Sequence, residues 1–259
     1  MLILAFLLIG AVVPSTVALS ITHDWPGLLL NLGTDFAGAF VTYILIDLLI
    51  GGRQEKEARD HKLGELRAKL VHRLGSRINQ ESCRAAEELR GYGWLTDGSL
   101  AGSELIGANL DGVDLRWAVL RGVRMYRASL RDANLYGTDL SDSYLTGASL
   151  AGAQMGRCKL DGAWLTGVDL SGARRIPRGA LARANRLKGA TMPDGTRYNG
   201  CYGLPGDLRE AAKAARQDGR DPRDPAFLAE WYGVPLEVYL QGQGTDRGPN
   251  SPAVNRRAR

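Results

Sequence analysis

The residues able to do chemistry are scattered along this chain. Cys83, Cys158 and Cys201 form no Cys-x-x-Cys pair, and His23, His61 and His72 are not near them in sequence. A zinc site is therefore not expected, and an odd cysteine count without a framework suits a reducing compartment. No G-x-S-x-G elbow, phosphate-binding loop or dinucleotide fingerprint occurs. The chain reads as no enzyme, with no catalytic residue, no cofactor and no metal. Two acids, Asp35 and Asp47, lie in a mostly apolar stretch. A proton or ion path would want them on one face, yet twelve helical steps separate them by about 120°. They fit better as an interfacial residue, Asp47, and a polar helix contact or second interfacial residue, Asp35.

The elements that would carry these residues begin with two apolar stretches, residues 2–21 and 28–50, joined by a short polar link. Each is long enough to span a bilayer as a helix. Arg53, Lys56, Arg59 and Lys62 follow the second, and no Lys or Arg precedes it. Cation placement then predicts a two-helix multi-pass anchor in the cell membrane with the body of the protein cytoplasmic. A signal peptide is the alternative for the first stretch, although it lacks a charged start. Residues 53–95 turn charged and helical. Leu63, Leu66, Leu70 and Leu74 line one stripe, and Ala85, Ala86 and Leu89 face inward on a second helix.

Internal repetition then dominates. Every fifth residue is Leu or Met: Leu100, Leu105, Leu110, Leu115, Leu120, Met125, Leu130, Leu135, Leu140, Leu145, Leu150, Met155, Leu160, Leu165 and Leu170. Two residues earlier stands a small side chain, such as Ala108, Ala133 or Cys158; two residues later Gly occurs in 10 of the 15 units. Period five suits neither a straight helix nor a flat strand, because successive leucines would spiral or alternate faces. It works only if the backbone turns a corner every five residues with each leucine inward, and Gly is placed where a corner wants a permissive backbone. These fifteen side chains are the expected structural core.

Ala108-Asn109-Leu110 and Ala133-Asn134-Leu135 match the A(D/N)Lxx motif of the pentapeptide-repeat family, which the chain resembles. The resemblance implies a mainly β fold, a right-handed quadrilateral β-helix with four units per coil. Flanking residues, including Asn31-Leu32-Gly33-Thr34-Asp35 and Gly93-Trp94-Leu95, look like those of bacterial members with an N-terminal two-helix membrane anchor. The implied organisation is a transmembrane hairpin over 1–52, a helical linker over 53–95, a repeat solenoid with closing turn over 96–205, a helical cap over 206–240 and a disordered tail over 241–259. The cap carries an apolar-aromatic cluster, Phe227, Leu228, Trp231, Tyr232, Val234, Leu236 and Tyr239, expected to dock on the solenoid end.

Under the four-per-coil geometry, Tyr144 and Trp164 stack in successive coils, and Glu104 and Arg124 continue their column. Arg124, Tyr144 and Trp164 are thus the candidate partner-binding residues. Trp117, Tyr126 and Tyr136 have no aromatic neighbour at the matching position one coil away. The expected function is a membrane-anchored, non-enzymatic scaffold for protein–protein interaction. Alternatives are a DNA-mimicking modulator of a topoisomerase and an accessory subunit of a transport system. Mimicry needs a strongly negative surface, and residues 98–172 hold 8 acids against 7 bases. Implied partners are the lipid bilayer, an unidentified protein and a second copy of the chain; nucleic acid is not expected.

Overall fold

The computed structural model describes residues 25–245; the side chains of residues 25–37, 45–54 and 244–245 lie outside that description, as do residues 1–24 and 246–259. Two compact units divide the chain, Met1–Glu65 and Leu66–Arg259. Helix α1, Trp25–Leu74, begins in the first and ends in the second. The first apolar stretch falls outside the described residues, as do the side chains of Asp35 and Asp47.

Within the first unit, Phe40, Val41 and Tyr43 are exposed, and His61 pairs with Glu65 one turn on, at 3.4 Å. Among the described residues no helix is long and apolar enough to cross a membrane. This corrects the expected transmembrane hairpin and multi-pass membrane location. The physical reason is that Asp35 and Asp47 interrupt the apolar part of α1, so no charge-free run of the helix reaches the length of a bilayer span, and the helix does not stop where that part ends. It continues from residue 50 into Arg53, Glu55, Lys56, Glu57 and Arg59.

In the second unit, α1 buries Leu70 and Leu74, and helix α2, Asn79–Gly91, buries Ser82, Ala85, Ala86 and Leu89. The α1–α2 link is tied by Ser76, whose hydroxyl accepts from Ile78 N at 3.1 Å and donates to Glu81 at 2.6 Å. Its carbonyl accepts from Asn109 N at 2.9 Å, which fastens the link to the first coil. Buried Trp94 and Leu95 cover the opening of the stack, with Arg67 lying over the Trp94 ring at 4.8 Å.

From residue 101 the backbone repeats a two-residue turn and a single bridging residue every five positions. All fifteen Leu and Met side chains at the repeat position are fully buried, as are Ala108, Ala133 and Ala153 two positions before. The residue between those two inward positions points out and pairs with its counterpart in the next coil, as in Asn109↔Ser129↔Ser149↔Asp169. Coils are joined by backbone bonds such as Leu105 N to Arg124 O at 2.8 Å and Arg124 N to Ser103 O at 2.9 Å. Each burial of a leucine thus comes with satisfied backbone groups on either side.

The mainly β expectation is corrected. Among the described residues no strand forms: every pairing is an isolated bridge, and the regular elements are helices. The reason lies in the period. A unit of five spends two positions in a turn and leaves one outward residue between turns, so no ladder reaches a second rung. The stack is held by many one-rung pairings instead of long strands.

After Ala173 the spacing shifts. A 3₁₀ turn at Leu181–Arg183 lengthens this coil by two positions, and the bridges become Trp164↔Arg186 and Asp169↔Thr191. Three helices follow: α3 Pro205–Asp218, α4 Pro225–Tyr232 and α5 Leu236–Thr245. Pro at the start and a left-handed Gly at the end bound both α3 and α4, with Asp224 accepting from Ala226 N as the α4 N-cap. Phe227, Leu228, Tyr232 and Tyr239 are buried, Trp231 and Val234 partly so, and Leu236 is exposed.

Candidate functional site

The outward positions of the coils form a surface of regularly spaced side chains. Their spacing is set by the bridges, and their side chains are free to vary because the core depends only on the inward ones. Arg124, Tyr144 and Trp164 fall on one such column, Glu104↔Arg124↔Tyr144↔Trp164↔Arg186. The rings of Tyr144 and Trp164 sit 5.6 Å apart, tilted by 38°. Tyr126 joins them from the side, stacked on Tyr144 at 5.8 Å. All three rings are half-buried.

The ends of this column are closed by charge. Arg124 donates to Glu104 at 2.6 Å, an exposed pair. The Arg186 guanidinium covers the Trp164 ring at 4.3 Å and also pairs with Glu210 of α3. The column can therefore present a ring edge flanked by an arginine, with both cations already engaged.

Sequence reasoning missed two members of this group. Tyr126 stands short of a full coil from Tyr144, and Arg186 stands beyond a full coil from Trp164, so neither falls on the strict coil spacing. The first is a neighbouring position leaning across the column. The second is shifted by the 3₁₀ insertion. A second aromatic group was missed because it too lies off that spacing. Trp117 meets Tyr136 edge-on at 5.3 Å, one position short of a full coil, and Arg157 lies over the Tyr136 ring at 5.9 Å.

Of the residues with chemical potential, Cys158 is buried, which with Asp139 nearby pushes its thiol up to about 12. It stays protonated and serves as a small core side chain. Asp207 in the first turn of α3 is fully buried and accepts from the backbone N–H of Leu187 at 3.1 Å and Lys188 at 3.2 Å. Burial pushes its carboxyl up to about 6, against the pull of those two donors and Arg186. Its role is to clamp α3 to the last coil. Among the described residues no group of three His, Cys, Asp or Glu side chains could hold a metal. Clefts of about 450 Å³ at Met192, Arg197 and Val238 and about 300 Å³ at Arg73, Glu81 and Glu104 sit at the two ends of the stack.

Comparison with known proteins agrees with the period. The model of the family described as pentapeptide repeats matches in eight copies, over residues 99–137, 124–162 and 133–172. Residues 99–172 are thus pentapeptide repeats. Among solved structures it is similar to a pentapeptide repeat protein from the Arabidopsis thaliana thylakoid lumen, with 26% identity over 36% of this chain and 60% of that one, TM-score 0.30. A second is the pentapeptide repeat protein Rfr23 from the cyanobacterium Cyanothece 51142, with 24% identity over 26% of this chain and 53% of that one, TM-score 0.17. A third is QnrB1, a plasmid-mediated fluoroquinolone resistance protein, at 15% identity over 34% of this chain and 57% of that one, TM-score 0.14. The chain spans less than two thirds of each of these structures. No curated protein matches it.

Proposed function

We propose that this pentapeptide-repeat protein is a non-enzymatic scaffold that docks a protein partner on the outward columns of its coils, with Arg124, Tyr144 and Trp164 as anchors. The observation that supports this reading is the column Glu104↔Arg124↔Tyr144↔Trp164↔Arg186, in which large side chains are held in register above a fully buried core. A rigid aromatic surface loses little side-chain entropy on binding, and Tyr, Trp and Arg are the residue types that anchor interfaces. The near balance of 8 acids and 7 bases over residues 98–172 favours a protein partner over mimicry of a nucleic acid.

The test is the double variant Tyr144→Ser/Trp164→Ser in the full chain. Losing the ring contacts should lower stability by about 1–3 kcal/mol, since aromatic pairs add roughly 0.5–1.5 kcal/mol beyond burial. The coils should still melt cooperatively, while crosslinked capture of the partner from an extract of the source cells should fall to background. Undiminished capture by the folded variant would remove this face from the proposal.

A further inference from the structure

The corner positions, two residues after each leucine, all have positive φ from Gly102 to Gly172. Ten are Gly, and five are not: Trp117, Arg127, Asp132, Asp142 and Arg157, with φ between 53° and 61°. Successive coils align these positions on four corners. Three of the corners carry one non-glycine in four positions: Asp142, Arg127 and Asp132 respectively. The fourth, Trp117–Gly137–Arg157, carries two in three. A bulky residue in the left-handed region is strained, and such strain persists where something else holds it.

What this corner displays differs from the Tyr144–Trp164 column. Trp117 is 52% exposed although it is a large apolar ring. It leans over the next coil so closely that a Cβ on Gly137 would lie 2.3 Å from the indole. Tyr136 leans in the same way over Gly156, whose added Cβ would also lie 3.7 Å from that of Arg175. Arg157 caps the Tyr136 ring. Arg174 stands on the adjoining face, bridged to Gln154.

The charges here are open. Arg157, Arg174 and Arg175 are exposed, and none makes an ion pair among the described residues. The acid on the same face is Asp114, at the far end of the Asp114↔Asn134↔Gln154↔Arg174 column. It is already engaged by Arg116 at 2.8 Å and Arg90 at 3.1 Å, and the Arg116 guanidinium helps hold its carboxyl below the ordinary carboxylate range. On the other face that meets this corner stands Asp139, which pairs with Lys159 at 3.7 Å. Two rings beside three arginines, with both neighbouring acids already paired elsewhere, match a ligand that brings both carboxylates and apolar contact.

We propose that the Trp117–Arg157 corner is a second docking surface, one that takes an acidic peptide segment of a protein partner. Arg157 and Arg175 pair with carboxylates of the segment, and Trp117 and Tyr136 form the platform on which its chain lies. The proposal does not depend on the Tyr144–Trp164 face, which its test leaves intact.

The test uses the full chain and a labelled decaglutamate peptide, followed by fluorescence anisotropy in about 50 mM salt, where surface charge is weakly screened. Wild type should bind saturably. Arg157→Gly/Arg175→Gly should weaken binding at least about tenfold and Trp117→Gly about fivefold, as expected for paired charges and an anchor ring. Glycine suits the positive φ at all three positions, so these variants should melt no lower than about the wild-type temperature. Arg209→Ala/Arg216→Ala removes the same net charge from exposed sites on α3 and should change binding less than about twofold. No saturable binding by wild type, or an equal loss in the α3 pair, would overturn the site. Tighter binding of a single-stranded DNA decamer, lost in the same corner variants, would overturn the peptide as its ligand.

Discussion

The repeat coils and the closing segment that follows Ala173 both bury their apolar residues, but they are held together differently. In the coils each leucine meets others like itself, and the backbone bonds recur with every unit, so no single contact is unique. In the closing segment the contacts occur once. Tyr198 and Tyr232 meet edge-on at 5.6 Å, Tyr232 stacks on Tyr239 at 6.2 Å, Asp207 clamps two backbone N–H groups, and Lys188 lies over Trp231 at 3.8 Å. A repeated core spreads its stability over many equivalent sites, as expected of stacked repeats. A one-off core concentrates it, so that one polar group can decide whether the end of the stack is covered.

The difference can be attacked first in the coils. Leu130 is fully buried, so Leu130→Asp should place an unpaired charge in the stack and abolish cooperative unfolding. Leu130→Ala should cost about 2–5 kcal/mol, the usual range for a leucine-sized cavity. A urea titration followed by circular dichroism reads both; an unchanged midpoint for Leu130→Asp would show that the coils do not share one core.

The closing segment should respond more locally. Asp207→Ala leaves the Leu187 and Lys188 N–H groups without their acceptor, at about 1–3 kcal/mol for each buried donor. Hydrogen exchange should rise over α3 and the Leu187–Lys188 backbone while the coils from 99 to 160 keep their protection. Equal loss throughout would erase the distinction. The same residue sets a pH dependence. Because the folded carboxyl binds its proton more tightly than the unfolded one, its contribution is present at low pH and is lost as pH rises through about 6. Closing-segment stability should fall by up to about 3 kcal/mol between pH 4 and pH 7, because each tenfold difference in proton affinity is worth roughly 1.4 kcal/mol. Asp207→Asn should flatten that slope.

Smaller effects probe the corners. Gly137 has φ +70° and lies under Trp117, so Gly137→Ala should cost about 1–2 kcal/mol from left-handed strain, and more from the indole contact. In a double-mutant cycle Trp117→Gly should recover the contact part and leave the strain. Additive effects would show that the indole yields freely. At the bottom of the scale, Arg127→Gly relieves φ 55° at an exposed corner and should raise stability by about 0.5–1 kcal/mol in the same titration.

Much of the repeat segment was legible from side-chain type alone. An inward leucine in every unit of five admits few backbone paths, and glycine two positions later marks where the chain must turn. The strand content expected from the family likeness was not legible, because pairing length depends on how many residues separate the turns. The Tyr144–Trp164 pair was visible at the coil spacing, whereas Tyr126, Arg186 and the Trp117–Tyr136–Arg157 group were not. Their contacts arise from side chains leaning between columns and from the insertion that shifts the register.

By itself, then, the sequence determined the period, the inward side chains and the corners, because each depends on residues within a few positions of one another. The tertiary structure decided which charges are already paired, which rings are covered and which corner stands open. Arg124 and Arg157 belong to the same kind of unit, yet one meets Glu104 in the adjacent coil and the other meets no acid among the described residues. That distinction depends on what the stack places beside a residue, and local pattern carries no record of it.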